Sequence, residues 1–428
     1  MNRTQKILIY FALISNFAFL SSETNPESLS TEVDLGEGVV ATLKNPDKQG
    51  TEKDLRDWLI FFYVAADNNL AKYALKDIER IRLGSHDKAH VLVSIHTQRN
   101  GQKISERLII ENKKIQMDGK ILAADSGHPQ TLMAELKWAL KFPSKKIMVV
   151  LWDHGNGILN KTKLHTIRGI CADDTTGSIL TDVDLKHAFE TASKLYQRKL
   201  DIITFDACLM GSVEIAYAIR SCANFMIAAE NSISAEAFDY TEIIKMLDNE
   251  PDSLHFAKSI IKIYQQSFSY FQSKFAVSAI DLSKIWELSK NISLLSQVLR
   301  ALNEKNKLAS QGLRKSIDNT LAFDEYDYID LGDFLLNLQK NVLSVETINP
   351  DNKKLLDSLL KESQKSLSKA VFASALSAEF KRATGLSIYF PNKETFHDSY
   401  NYTVWAKENL WPYFLLQYER SSKLSRTI

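Results

Sequence analysis

Two residues in this chain have the side chains and the surroundings expected of a sulfur nucleophile and its base. His154 follows an apolar stretch and precedes a glycine-containing turn, in the sequence KKIMVVLWDHGNG. Cys208 follows a second apolar stretch and also precedes a glycine, in LDIITFDACLMG. Thiol-based catalysis needs a cysteine and an imidazole that are close in space although they are distant in sequence. The pair therefore predicts acyl transfer through a thioester.

Neighbouring strands would bring these two residues together. Apolar runs typical of buried strands alternate with amphipathic helical patterns, at 58–67, 70–81, 90–98, 129–140, 145–154, 181–197, 200–208, 212–220 and 225–231. This alternation predicts an α/β fold with a mostly parallel sheet and helices on both faces. Catalytic groups of such sheets collect at the carboxyl ends of strands. We therefore expect His154 and Cys208 at the same edge of the sheet.

The backbone around the two residues is a candidate oxyanion hole. We expect Cys208 at the start of a helix, where unpaired N–H groups and the helix dipole favour a thiolate. The same N–H groups would stabilise the oxyanion of a tetrahedral intermediate. Gly155 has no side chain, so its N–H can also approach the substrate closely. The hole is therefore assigned to the backbone of Gly155 and Cys208.

Asp206 is a candidate substrate-binding residue. It precedes Cys208 by two positions, so on a strand both side chains would point to the same face. A buried carboxylate beside the reacting bond prefers a cationic partner. This position predicts a pocket for an arginine or lysine side chain.

The N-terminus has the pattern of a signal peptide. Arg3 and Lys6 precede the apolar stretch 7–20, and small and polar residues follow it. A membrane anchor is the alternative, but a spanning helix needs about 20 apolar residues, more than this stretch provides. Export predicts a secreted or periplasmic protein with no stable membrane association after the signal is removed.

Composition limits the remaining classes of function. The 53 Lys and Arg residues balance 52 Asp and Glu residues, which gives no support to a nucleic-acid partner. The three cysteines leave at least one thiol unpaired. If Cys208 is a nucleophile, Cys171 and Cys222 form the one remaining pair, or they are two separate buried thiols.

Two other interpretations of the same residues stay open. Asp153, His154 and either Asp173 or Asp174 are candidate ligands of a metal-dependent hydrolase, although no compact metal-binding motif supports them. The second alternative is a non-catalytic binding protein on the same fold. We interpret His90 and His96, at even spacing on one strand, as structural.

The sequence resembles the clostripain family of cysteine peptidases, which is related to caspases. LWDHGNG and FDACLMGSVE are similar to the family's active-site segments. Further similar segments follow in order over roughly 57–418: YVAADNNL, ADDTTGSILTDVDLKHAF, SAIDLS, YIDLGDF, GLSIYFP and NLWPYFLLQY. One departure is AFDY at 237–240, where the family usually has a glycine before the aromatic residue, so the shape of the pocket is in question.

The resemblance implies an endopeptidase with a caspase-like fold. Cys208 would be the nucleophile, His154 the base, and Asp206 the residue that selects Arg or Lys before the cleaved bond. It also implies activation of a zymogen by self-cleavage between His154 and Cys208, at Lys161, Lys163 or Arg168. Arg168 is the first choice, because it lies farthest from the histidine turn and directly precedes Gly169.

The resemblance implies no required cofactor and no metal site, with Ca2+ as an optional ion because some members of the family depend on it. The partners would be protein or peptide substrates. The predicted organisation is a signal peptide at 1–22, a linker or pro-segment at 23–55 with one short strand near 39–43, a catalytic core at 56–247, and a mainly helical C-terminal region at 248–428. Apolar runs at 274–282 and 384–391 are expected to return to the sheet as outer strands.

Overall fold

The fold was determined from a computed structural model of the chain. The structure describes residues 32–43, 54–122, 124–157, 169–247, 252–268, 274–323, 327–391 and 396–426. The predicted signal peptide and the candidate processing residues Lys161, Lys163 and Arg168 lie outside these ranges.

The described elements alternate between strands and helices over the first half of the chain. The strands are β1 (Glu32–Gly36), β2 (Val39–Leu43), β3 (Arg56–Ala66), β4 (Ala89–Arg99), β5 (Gln102–Glu111), β6 (Lys114–Leu122), β7 (Ser144–Trp152), β8 (Ile170–Asp173), β9 (Ser178–Leu180), β10 (Leu200–Asp206), β11 (Ala223–Ala229), β12 (Ala276–Asp281), β13 (Tyr328–Asp330), β14 (Val371–Leu376) and β15 (Ser387–Tyr389). The helices are α1 (Ala71–Gly84), α2 (Pro129–Ala139), α3 (Asp182–Tyr196), α4 (Val213–Ile219), α5 (Tyr240–Met246), α6 (Ser253–Phe268), α7 (Ile285–Lys305), α8 (Lys307–Asn319), α9 (Leu331–Asn341), α10 (Pro350–Ala370), α11 (Val404–Glu408) and α12 (Trp411–Arg426).

An eleven-stranded sheet forms the centre of the described fold, in the order β1-β2-β6-β5-β4-β3-β7-β10-β11-β12-β14. The five central strands from β4 to β11 all run parallel to one another. At their flanks, β5 pairs antiparallel with β4, and β12 pairs antiparallel with β11. The predicted α/β class with a parallel centre and helices on both faces is confirmed.

The apolar runs of the central strands are continuous because both faces of the sheet are buried. On β3, Phe61 and Tyr63 pack on one side with α2, α3, α4 and the C-terminal helices. Ile60 and Phe62 pack on the other side with α1, α5 and α6. Alternating side chains on a strand point to opposite faces, so a strand buried on both sides has no polar alternation.

One segment differs from the expectations for the sheet. The run 384–391 does not become an outer strand of the large sheet: β15 pairs with β13 in a separate two-stranded sheet. Near the N-terminus, the strand expected at 39–43 is present as β2, and β1 pairs with it to form a hairpin beside β6. The run at 274–282 includes β12, which pairs with β11.

Within the described residues, no helix is both long enough and apolar enough to cross a membrane.

Candidate active site

The two candidate catalytic residues follow adjacent parallel strands at the same offset. In the register of β7 and β10, Trp152 is opposite Asp206, and these are the last residues of their strands. The backbone N–H of Asp153 donates to the carbonyl of Asp206 at 3.2 Å, which extends the pairing by one step. His154 and Cys208 each come two residues after their strand ends. The structure therefore places both at one edge of the sheet, as the sequence predicted.

Gly155 lies directly against the backbone of Cys208. A Cβ atom added at Gly155 would be 2.2 Å from the carbonyl oxygen of Cys208 and 3.0 Å from its nitrogen. Both distances are well inside van der Waals contact, so any larger residue would force the histidine turn away from the cysteine. The glycine is needed for this close approach rather than for chain flexibility.

The surroundings of Cys208 differ from the expected helix start. Helix α4 begins at Val213, with Ser212 as its N-cap, so the cysteine lies in a loop before the helix. The expectation that Cys208 lies at the start of a helix is wrong. The backbone N–H of Ile233 instead donates to Sγ of Cys208 at 3.3 Å. Leu209, which follows the cysteine, has a φ of 60°, in the left-handed region that non-glycine residues seldom adopt.

His154 is half-buried and has a polar partner. Its Nε2 is 2.6 Å from Oδ1 of Asn69, which lies in the turn between β3 and α1. Burial lowers the pKa of the imidazole from its ordinary value of 6.5, against a smaller opposing effect of Asp174. Burial thus favours the neutral imidazole, which is the form that a general base requires.

Asp206 is buried beneath this edge of the sheet. Its Oδ2 accepts a hydrogen bond of 2.6 Å from the hydroxyl of Tyr240. Burial raises the pKa of the carboxyl well above its ordinary value, and the charge of Asp77 adds to the effect. Arg80 reaches the same cluster, since it donates to Asp77 at 2.9 Å. The charge of Arg80 opposes part of the rise in the pKa of Asp206.

The residues of the metal hypothesis have other partners. Asp153 accepts from the side chain of Asn68 at 2.7 Å and from the backbone N–H of Ala172 at 2.6 Å. Asp173 pairs with Lys103 and accepts from the backbone of Ser126. Among the described residues, no group of three or more His, Cys, Asp or Glu side chains is arranged to hold a metal ion.

The remaining histidines and cysteines of the sequence predictions have other surroundings. His96 is buried within β4, between Ser94 and Ser105, and burial lowers its pKa to about 3. His90 contacts the backbone carbonyl of Asp54. Cys171 and Cys222 are both buried and free, so they form two separate thiols rather than a disulfide.

Sequence reasoning missed the residues that surround the pair from other segments. Asn69 lies in the segment YVAADNNL, which was quoted for its similarity to the family, but no role was assigned to it. Ile233 was not singled out. Tyr240 belongs to the AFDY segment, whose role in shaping the pocket was expected. Its contact with Asp206 could not be foreseen from spacing alone.

Comparison with known proteins decides the family. Residues 62–418 match the model of the clostripain family. The chain belongs to the clostripain family. Clostripain itself, from Hathewaya histolytica, is 24% identical over an alignment that covers 94% of this chain and 86% of the relative. This clostripain-family chain is therefore a cysteine protease.

Solved structures of clostripain-family proteases, also called C11 proteases, share the fold. An inactive zymogen from Parabacteroides distasonis has a TM-score of 0.58 at 20% identity, covering 83% of this chain and 98% of that one. A secreted enzyme from Bacteroides thetaiotaomicron, in complex with an irreversible peptide inhibitor, has a TM-score of 0.59 at 18% identity, covering 82% and 97%. At these identities the structures establish the fold, which is caspase-like.

Proposed function

We propose that this cysteine protease is a secreted endopeptidase that cleaves after Arg or Lys, with Cys208 as nucleophile and His154 as base. The observation that supports the pair is geometric. The two residues come two positions after the aligned ends of adjacent parallel strands, and Gly155 packs against the backbone of Cys208.

The proposed reaction is acyl transfer in two steps. The imidazole of His154 takes the proton of the Cys208 thiol, and the sulfur attacks the carbonyl carbon of the substrate. The backbone N–H groups of Gly155 and Cys208 are proposed to stabilise the oxyanion. The amine leaves with the proton, and water then hydrolyses the thioester to release the acid and regenerate the thiol.

The preference for Arg or Lys is proposed from the environment of Asp206. Its carboxyl is buried at the end of β10, where it is removed from solvent. A cationic side chain of the substrate would stabilise the ionised carboxylate there. Tyr240 holds one carboxyl oxygen and so fixes the orientation of the group.

Secretion and self-processing are proposed from the sequence pattern and the family. One observation supports association of the fragments after a cut. The N–H of Asn156 donates to the carbonyl of Gly169 at 3.1 Å, so the two ends of the segment 157–168 are joined by a backbone hydrogen bond. A chain cut within this segment would keep that connection.

A panel of fluorogenic peptides that differ in the residue before the cleaved bond tests the proposal. We expect the wild type to hydrolyse Arg and Lys peptides, and the Cys208→Ala variant to lose activity by several orders of magnitude, because nucleophile and base act as a unit. His154→Ala should lose a similar amount. Cys222→Ala, which removes a free thiol elsewhere in the fold, serves as the matched control and should remain active.

Other outcomes would contradict the assignment. Full activity in Cys208→Ala would exclude the thiol mechanism. Loss of activity with a chelator but not with iodoacetamide would favour the metal-dependent alternative. A folded wild type that alkylates slowly at Cys208 and hydrolyses none of the peptides would favour the non-catalytic binding protein.

A further inference from the structure

Asn69 makes a contact with the candidate base that neither the sequence nor the family match assigned. Its Oδ1 is 2.6 Å from Nε2 of His154, across 85 positions of the sequence. We propose that Asn69 is a positioning residue, which fixes the tautomer and the orientation of the His154 ring. This inference rests on the proposed role of His154 as base.

The chemistry of the two groups determines the tautomer. The oxygen of an asparagine amide is an acceptor, so the histidine nitrogen that faces it must carry the hydrogen. Nε2–H therefore donates to Asn69, and Nδ1 retains its lone pair. When the thiol proton of Cys208 moves to Nδ1, the new positive charge spreads over the ring. The oxygen of Asn69 then accepts a charge-assisted and stronger bond from Nε2–H.

The turn that presents Asn69 is tied to the histidine segment by the preceding residue. The side-chain nitrogen of Asn68 donates to Oδ1 of Asp153 at 2.7 Å, and its oxygen accepts from the backbone N–H of Leu70 at 2.9 Å. The carboxyl of Asp153 also accepts from the backbone N–H of His154. The buried carboxyl of Asp153 is thus hydrogen-bonded both to the turn that presents Asn69 and to the backbone of His154.

The side chain of Asn69 is itself exposed, which separates a positioning role from a structural one. An exposed side chain contributes little to the core, so its replacement should leave the fold intact. Asn68 and Asp153 remain unchanged in such a variant and continue to hold the turn.

The test compares Asn69→Ala with Asn69→Asp. Asn69→Ala removes the acceptor. We expect kcat on a peptide that the wild type hydrolyses to fall roughly 10- to 100-fold with little change in KM, because the ring loses its alignment.

Asn69→Asp restores an acceptor and adds a negative charge. It should recover part of kcat and move the ascending limb of the pH profile upward by about one unit, because a carboxylate favours the imidazolium. Asn352→Asp, the same change at an exposed site on α10, is the control and should leave kcat, KM and the pH profile as in the wild type.

A second measurement separates this inference from the proposed function. The pH dependence of Cys208 alkylation by iodoacetamide, followed by mass spectrometry, requires no peptide substrate and should shift in the same direction in Asn69→Asp. Wild-type kcat and pH profiles in both Asn69 variants, with Cys208→Ala inactive, would overturn the positioning role alone. A fully active Cys208→Ala would overturn the catalytic assignment on which it rests.

Discussion

At the scale of single residues, Asp206 is the group whose ionisation should be most visible in kinetics. Its pKa lies well above the ordinary value because it is buried, and the hydrogen bond from Tyr240 partly opposes that increase. A carboxyl with a raised pKa holds its proton until the pH is high or a cation arrives. An arginine or lysine side chain in the pocket would favour the ionised form.

Binding of a basic substrate should therefore depend on pH through Asp206. The quantity to measure is kcat/KM for an Arg peptide divided by kcat/KM for a peptide with a neutral residue at the same position. We expect this ratio to rise with pH, because the free enzyme loses the proton of Asp206. Comparing two substrates in one enzyme removes the contribution of His154, which is common to both. Asp206→Asn should weaken transition-state binding of basic peptides by about 2–5 kcal/mol, which lowers their kcat/KM. The ratio should then no longer change with pH.

Tyr240→Phe is the matched variant for this prediction. It removes the hydroxyl that lowers the pKa of Asp206 and keeps the aromatic ring, so the rise of the ratio should move to higher pH. A wild type that prefers neutral or acidic residues at this position would show that Asp206 does not select the substrate.

At the scale of elements, the packing of Gly169 before β8 bears on where the proposed self-cleavage is feasible. Gly169 is buried, and a Cβ atom added to it would lie 1.7 Å from the carbonyl oxygen of Leu180. Its own carbonyl accepts from Asn156. A protease that cuts after Arg168 must draw Gly169 into its active site, and these contacts oppose that movement. The packing therefore favours Lys161 or Lys163 over Arg168, the reverse of the order inferred from the sequence.

Sequencing the N-terminus of the second fragment tests this order. We expect the wild type to yield a fragment that begins at Thr162 or Leu164, and the double variant Lys161→Ala, Lys163→Ala to stay whole. Arg168→Ala should still be cut, and Cys208→Ala should not. A fragment that begins at Gly169 would restore Arg168 as the site. An uncut but fully active wild type would refute activation by cleavage and leave the catalytic pair unaffected.

At the scale of the whole molecule, a pair of buried acids joins the sheet to the C-terminal region. Glu230, directly after β11, interacts electrostatically with Asp330 at the end of β13, and it accepts from the backbone N–H of Gly385 at 3.1 Å. Thr384 donates to Asp330 from its hydroxyl at 2.9 Å. Two buried carboxyls in contact share one proton most favourably, because two negative charges would repel each other. Burial raises the pKa of Asp330 from 3.8 to about 6 and that of Glu230 well above its ordinary value.

These shifts predict that the pair makes the protein less stable as the pH rises. The folded state holds protons that the unfolded state has already released, so the free energy of unfolding falls between the ordinary carboxyl pKa and the raised one. For Asp330 alone, a pKa shift from 3.8 to about 6 corresponds to a loss of roughly 3 kcal/mol in the free energy of unfolding.

Thermal unfolding of Glu230→Gln against the wild type, between about pH 4 and pH 8, checks this prediction. The variant removes one ionisable group and keeps the shape, so its Tm should fall less steeply with pH than that of the wild type. Glu242→Gln, at an exposed position on α5, is the control and should follow the wild type. Parallel curves for Glu230→Gln and the wild type would show that no proton is shared between the two acids.

The sequence alone determined the class of fold and the chemistry of the candidate pair. An apolar run such as 58–66 is typical of a strand buried on both faces, since no polar alternation is present. A histidine and a cysteine that each follow such a run must reach the same edge if the strands are parallel. The side-chain types and the local pattern contain this information, and the predicted fold was confirmed.

The tertiary structure decided which distant segments meet. The contacts of Asn69 with His154 and of Tyr240 with Asp206 join residues 85 and 34 positions apart. The run at 384–391 pairs with β13 rather than with the large sheet, although its local pattern is that of any short strand. Such pairings depend on the paths of loops and on the packing of helices from the whole chain. Local periodicity specifies which residues are buried, but it does not specify which of the buried residues become neighbours.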